Sequence, residues 1–366
     1  MYSSGEKIMA RKPLLSEREN YLRAVEFGKP EYIPCRITAM WPLWNIHREK
    51  LESIALRYPF IFPSFESGSI EYDTEEGVMR SDRVLTDPFR CVWSFIIKGY
   101  QGQVVEHPLE DWESFKEFEF PDPESGVPKE GDEDLQPWEP ILEALDKARD
   151  RGDLVVAGMP HGFFFQRLYY LRGFPNLLKD FLAKSTQIYE LIDALAEYNL
   201  ELVDLFLKSG KLDLISFGDD LGLQDRMPIS PKTFGEFIFP SYHKIFQKIR
   251  SRGVHVRLHS DGHVIEVADQ LIESGVDIIN IQDRVNGLEE IASRCKGVVC
   301  VDLDIDRQNL TAFGKPEELR KHIDHIVKVL SMSEGGLMMI SELHPPTPLE
   351  NVKVLAQAME DHMWLM

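Results

Sequence analysis

The run VRLHSDGHV, residues 256–264, sets His259, Ser260, Asp261 and His263 directly behind a short apolar stretch. Imidazole nitrogens and a carboxylate this close together can ligate a divalent metal or relay a proton. Comparable clusters recur along the chain: Asp219 and Asp220, Gln282 and Asp283, Asp302 with Asp304 and Asp306, and Ser341 with Glu342 and His344. For Asp283 and Asp306, capping of a following helix explains the residue type equally well. Catalytic zinc takes three protein ligands and keeps a position open, and histidine with carboxylates is an accepted set. His259 and Glu342 are therefore the candidate metal pair, with Asp261 as third ligand or as a group that orients the first two. Asp220 and Asp302 are candidates for proton donor or polariser. Neither an HExxH motif nor a cysteine cluster accompanies them.

Such residues can cooperate only if the chain brings their strand ends to one rim. After residue 150 the pattern alternates regularly. "GDLVVAG", "LDLISFGDD", "VHVRLHS", "VDIINIQ", "GVVCVDLD" and "GGLMMIS" read as strands, each followed by a helical stretch of 3.6-residue period. Near-continuous β-branched runs fit parallel strands covered on both faces. Six such units, with at least one earlier strand near "PEYIPCRIT", predict an α/β fold of the (β/α)8 TIM-barrel type in a single domain spanning 1–366. A doubly wound open sheet is the alternative, although no G-x-G-x-x-G or P-loop is present. In a parallel barrel the catalytic groups sit at the carboxyl ends of the strands, which is where the clusters above fall.

Ahead of the regular part lies an N-terminal extension, then a helix capped by Ser16. Residues 79–106 alternate around Gly99 and Gly102 and predict a small inserted antiparallel hairpin. Residues 119–140, rich in Pro, Gly and acid, read as a solvated connection. Trp44 in the early aromatic segment, and His161, Phe164 and Gln166 just beyond the strand "LVVAG", are candidate substrate-binding residues.

Forty-one Lys and Arg against sixty-one Asp and Glu give a net charge of -20 over 366 residues. That field repels nucleic-acid backbones and anionic membrane surfaces, so neither is an expected partner. Four cysteines without C-x-x-C spacing, no apolar signal core, and no run approaching the roughly 18 residues of a membrane span point to a reducing, cytoplasmic location.

The segments "ENYLRAVEFGKPEYIP", "TDPFRCVW", "HPLEDWESFKEFEFPDP", "FGDDLGLQDRMPISPKTFGEFIFPSYHKIF", "LHSDGHV", "GVDIINIQ" and "TPLENV" together resemble the uroporphyrinogen decarboxylase superfamily, over residues 15–360. The resemblance implies the same barrel. The decarboxylase branch binds its acidic tetrapyrrole through an Arg-Gln-Ala-Gly-Arg motif, and "PCRITAMWPLW" keeps only Arg36 of it. A corrinoid-dependent methyltransferase branch holds zinc through a His-x-Cys pair and a later Cys. Here those positions read His259-Ser260-Asp261 and Ser341 beside Glu342, so the histidine stays and both thiolates go. Oxygen ligands leave a metal more Lewis acidic, which suits an ether oxygen better than a thiol. The resemblance thus implies zinc-assisted transfer of a methyl group from a methoxylated, aromatic or related donor to the corrinoid of a partner protein, an O-demethylase activity. Two alternatives stay open: a decarboxylase acting on a non-tetrapyrrole acid, and a corrinoid or tetrapyrrole binding module without turnover. A homodimer is compatible with this reading.

Overall fold

The structure is a computed structural model that describes residues 13–63, 65–73, 83–96 and 102–364. Twelve strands fall among them: β1 (Cys35–Ala39), β2 (Arg83–Thr86), β3 (Val92–Phe95), β4 (Gln103–Glu106), β5 (Val127–Pro128), β6 (Leu135–Gln136), β7 (Val156–His161), β8 (Leu214–Gly218), β9 (His255–Ser260), β10 (Ile278–Gln282), β11 (Cys300–Asp304) and β12 (Leu337–Leu343). Seven of these form one curled parallel sheet in the order β1-β12-β11-β10-β9-β8-β7, with helices between successive strands. The barrel-like α/β frame is the expected one, with a difference at its seam. Among the described residues no strand joins β1 to β7, and the Ile37 N–H donates instead to the Ile61 carbonyl at 2.8 Å.

The expected insertion is a three-stranded antiparallel sheet, β2-β3-β4. Its turn around Gly99 and the N-terminal residues 1–12 lie outside the described residues. The stretch read as a solvated connection carries one 3-10 turn, Pro123–Ser125, and the short β5-β6 hairpin, which folds back onto β7.

Period-two alternation sorts each strand's residues between lumen and helix layer. In β9, Val256, Leu258 and Ser260 are buried outward, while His255, Arg257 and His259 face in and are half-buried. The lumen is layered as a result. Its floor is a small separate apolar cluster in which Leu214, Ile278, Cys300 and Met338 meet Ala24 and Val25. Those two belong to the helix Glu17–Val25, whose first turn is capped by the Ser16 hydroxyl accepting from the Glu19 N–H. Arg18 ties that helix to the foot of β8 through Asp213 at 2.6 Å. Above the floor most lumen positions turn polar, Ile340 on β12 being an exception.

Candidate active site

A cavity of about 1050 Å³ occupies the carboxyl end of the parallel strands. Its lower wall holds Arg257, locked to Asp302 at 2.7 Å and to the Ser216 hydroxyl at 3.3 Å. Asp302, expected to act on substrate, instead spends its charge on this buried pair and does not line the cavity. Two residues further along the same face of β11, Asp304 does line it. Its Oδ1 is buried without a partner. Burial, reinforced by Asp261, Glu342 and Asp283 and opposed by Arg307, lifts its carboxyl well above the usual range and so favours its protonated form.

The upper wall converges on Asp220. Asp219 and Asp220 end the same β8 segment but point opposite ways. Asp219 is fully buried, accepting the N–H groups of Phe165 and Gln166 at 2.6 and 2.8 Å and the Tyr242 hydroxyl at 2.6 Å. Burial raises its carboxyl to about 6, against the pull of those donors. Asp220 faces the lumen. Gln166 clamps it from behind, its Oε1 accepting the Asp220 N–H at 2.8 Å and its Nε2 donating to Oδ2 at 3.2 Å. The expected substrate contact of Gln166 is therefore a supporting one. Burial opposes ionisation of Asp220, yet His161 and His259 hold its carboxyl at about 2.

Both imidazoles present Nε2 to the same oxygen, Asp220 Oδ1, each at 3.6 Å. His259 Nδ1 lies 2.6 Å from Asn280 Oδ1, and Asn280 Nδ2 donates to the Asp302 carbonyl at 2.6 Å. An amide oxygen only accepts, so Nδ1 of His259 is the donor and carries the proton. His161 stands at the end of β7, where the register slips against β8. It rests on Gly218, where a Cβ would come within 2.4 Å of its Cδ2. Its Nδ1 lies 3.1 Å from Glu130 Oε2, close enough for an ion pair but off the line of a hydrogen bond. Burial works against charge on His161, but Asp220 and Glu130 together push its imidazole up to about 11. Glu130 is itself buried and accepts the Tyr170 hydroxyl at 2.6 Å.

A second cluster centres on Arg307. Its Nη2 grips both oxygens of Asp261 at 2.6 and 2.5 Å, and its Nη1 reaches Glu342 at 3.1 Å and Asp304 at 3.6 Å. Glu342 also accepts from His344 Nε2 at 2.7 Å; that bond, against the effect of burial, keeps its carboxyl below the usual range. His259, Asp261 and Glu342 thus share the cavity wall without forming one ligand group, because Arg307 engages the two carboxylates. The histidine–carboxylate group whose ligand atoms lie within 4.8 Å of one another is His161, Asp220 and His259.

Of the other expected contacts, His161 lines the cavity, whereas Trp44 stacks on Phe65 and Phe164 is fully buried against Phe163 and Tyr242. Glu130 was not singled out from the sequence, and Asp304 was named beside Asp302 without a role, although the period-two pattern placing both on the inward face of β11 was there to be read. Arg36 on β1 lines the cavity and is exposed, with neither ion pair nor hydrogen bond among the described residues.

Residues 94–362 match the family model described as uroporphyrinogen decarboxylase (URO-D). Among solved structures, a methyltransferase from Methanosarcina mazei has a TM-score of 0.61 at 16% identity, over 94% of this chain and 98% of that one. That likeness is one of fold. A dihydropteroate synthase from Xanthomonas albilineans, at a TM-score of 0.29 and 14% identity over 45% of this chain and 59% of the other, shares too little of the frame to bear on the site. No curated protein gives a match. No helix among the described residues is long and apolar enough to cross a membrane.

Proposed function

The chain belongs to the uroporphyrinogen decarboxylase family, and we propose that within it this protein is a methyltransferase, moving a methyl group from a methoxylated donor to the reduced corrinoid of a partner protein. One observation carries the reading: the charge balance of the cavity. Of the three lining arginines, Arg257 and Arg307 are neutralised by the protein's own carboxylates, whereas Arg36 has no such partner among the described residues and can meet an anion. A polycarboxylate substrate would need several such donors. A methyl ether bearing one acidic group needs one.

In the reaction the methyl carbon–oxygen bond breaks, the carbon passes to the cobalt(I) nucleophile, and the electron pair stays on the donor oxygen. That oxygen needs a proton. Asp220 is held ionised and Asp302 is paired, so neither can supply it, whereas Asp304 lines the cavity and burial raises its carboxyl well above the usual range, which favours its protonated form. We assign it the proton, which solvent then replaces. Asp261, Glu342 and Arg307 hold one another in place and set a mixed-charge wall opposite it. The zinc that the family likeness implies would supply Lewis acidity to the same oxygen, and His161, Asp220 and His259 are a donor set that fits it.

The test is turnover. The purified protein, a reduced corrinoid protein and a panel of methoxylated aromatic acids and their neutral analogues would be mixed while the cobalt absorbance is followed. Demethylation of at least one acid, with Arg36→Ala raising KM for the acid but not for a neutral analogue, supports the reading. Carbon dioxide release from a small acid, with no methylated cobalt from any donor, overturns it.

A further inference from the structure

We infer that the structure assigns a metal centre to His161, Asp220 and His259, on three consecutive strands, in place of the ligand set that strand position and family likeness suggested. The inference deepens the methyl-transfer reading by naming its metal site, but it stands on geometry alone.

A tetrahedral metal with bonds of about 2.0–2.1 Å holds neighbouring ligand atoms about 3.3 Å apart. His161 Nε2 and His259 Nε2 each lie 3.6 Å from Asp220 Oδ1, and the three ligand atoms all fall within 4.8 Å of one another. A few tenths of an ångström at the Asp220 contacts, and a modest swing of the two rings, whose centroids are 5.8 Å apart, would close the group on one ion. The remaining positions would face the cavity, where a donor oxygen can enter.

Metal sites are recognisable by what stands behind the ligands, since an imidazole usually gives its other N–H to a carboxylate or carbonyl that fixes the ring. Two of the three ligands here have such a support in place, and the third faces one. His259 Nδ1 is held by Asn280 Oδ1 at 2.6 Å, and Asp220 is clamped by Gln166 and by the Asp261 N–H at 3.0 Å. His161 Nδ1 is buried, lacks a directed hydrogen bond, and faces Glu130 Oε2 at 3.1 Å. A slight turn of that ring toward the metal would complete a carboxylate–histidine–metal arrangement. His259 Nε2 also lies 3.5 Å from Asp261 Oδ1, but Arg307 holds both oxygens of Asp261 and one of Glu342, so ligation by either would compete with that pairing. The set contains no sulfur, so the site differs in chemistry from a thiolate zinc centre and favours an oxygen ligand.

The experiment is metal titration of the chelator-stripped protein with Zn(II), read by calorimetry and by bound-metal analysis, with Co(II) as the spectroscopic probe. One equivalent should bind. His161→Gln, His259→Gln and Asp220→Asn should each weaken binding at least 100-fold, and Glu130→Gln about 10- to 100-fold. Glu342→Gln should leave the stoichiometry at one. Co(II) should give d–d bands without thiolate charge transfer. Circular dichroism and melting of each variant separate ligand loss from misfolding. Should any ligand variant misfold, Glu130→Gln together with Glu342→Gln decides the matter. Binding that survives His161→Gln or is abolished by Glu342→Gln overturns the assignment, and so does absence of stoichiometric binding. Metal bound as described, without methyl transfer to any acceptor, would defeat the functional reading and leave the centre standing.

Discussion

Asn280 Oδ1 accepts the Nδ1–H of His259 at 2.6 Å, and the partners lie side by side on β10 and β9. The amide decides which nitrogen of His259 faces the cavity. Asn280→Ala removes that control while Asp220 and His161 stay in place. Zn(II) affinity should fall about 10- to 100-fold. Calorimetric titration checks it.

Asp304 yields a prediction in two parts. Burial holds its proton in the folded protein more tightly than in the unfolded chain, where a carboxyl has a pKa of about 3.9. A raised folded value means that the stability tied to this group is complete in acid and is lost as pH rises through that folded value. Asp304→Asn should therefore melt like the native protein in acid and progressively higher than it as the solution becomes alkaline. Turnover of a donor with a basic leaving oxygen should fall about 10²- to 10⁴-fold, and of one with an acidic leaving oxygen far less.

Arg307 is the counter-charge for Asp261 and Glu342 together. Arg307→Met would leave those carboxylates facing one another in a half-closed cavity. The expected loss is about 3 kcal/mol at neutral pH, the scale for removing one partner of a buried pair, and it should shrink in acid as the carboxylates take up protons. Urea unfolding across pH measures both.

Gly218 leaves room for the His161 ring. Gly218→Ala should push that imidazole aside, weakening metal binding by an order of magnitude or more while the outward side of β8 keeps its packing. A melting temperature falling in step with affinity would argue against this.

Much of the fold was legible in the sequence because parallel strands covered on both faces are rich in apolar residues, as LISFG of β8 and LMMISEL of β12 are, while β9 keeps its apolar residues on the outward face alone. Ser16 announced its helix by residue type. The site was legible only in part. His161, Asp220 and His259 were named, but residue type does not state direction, and the metal role went to Asp261 and Glu342 because nothing local reveals that Arg307 occupies them. Asp302 and Asp304 share one face of one strand, and what separates them is Arg257, two strands away, which only the register brings near. Glu130 carried no signal: it sits in a Pro-, Gly- and acid-rich stretch that reads as solvent-exposed, and only the short β5-β6 hairpin turns it inward under Tyr170. Trp44 and Phe164 show the converse, aromatic types that suggested a pocket and went to the core.

The apolar floor under the lumen, where the helix Glu17–Val25 meets the feet of β8, β10, β11 and β12, shuts the far end of the barrel. Under the proposed methyl transfer, both reactants would then use the mouth at the carboxyl end. The small donor would be seated before the bulky partner covers that mouth, and its remnant would depart only after the cover lifts. Steady-state rates should accordingly follow a compulsory order, with excess of the larger reactant slowing the cycle by trapping the smaller product beneath it.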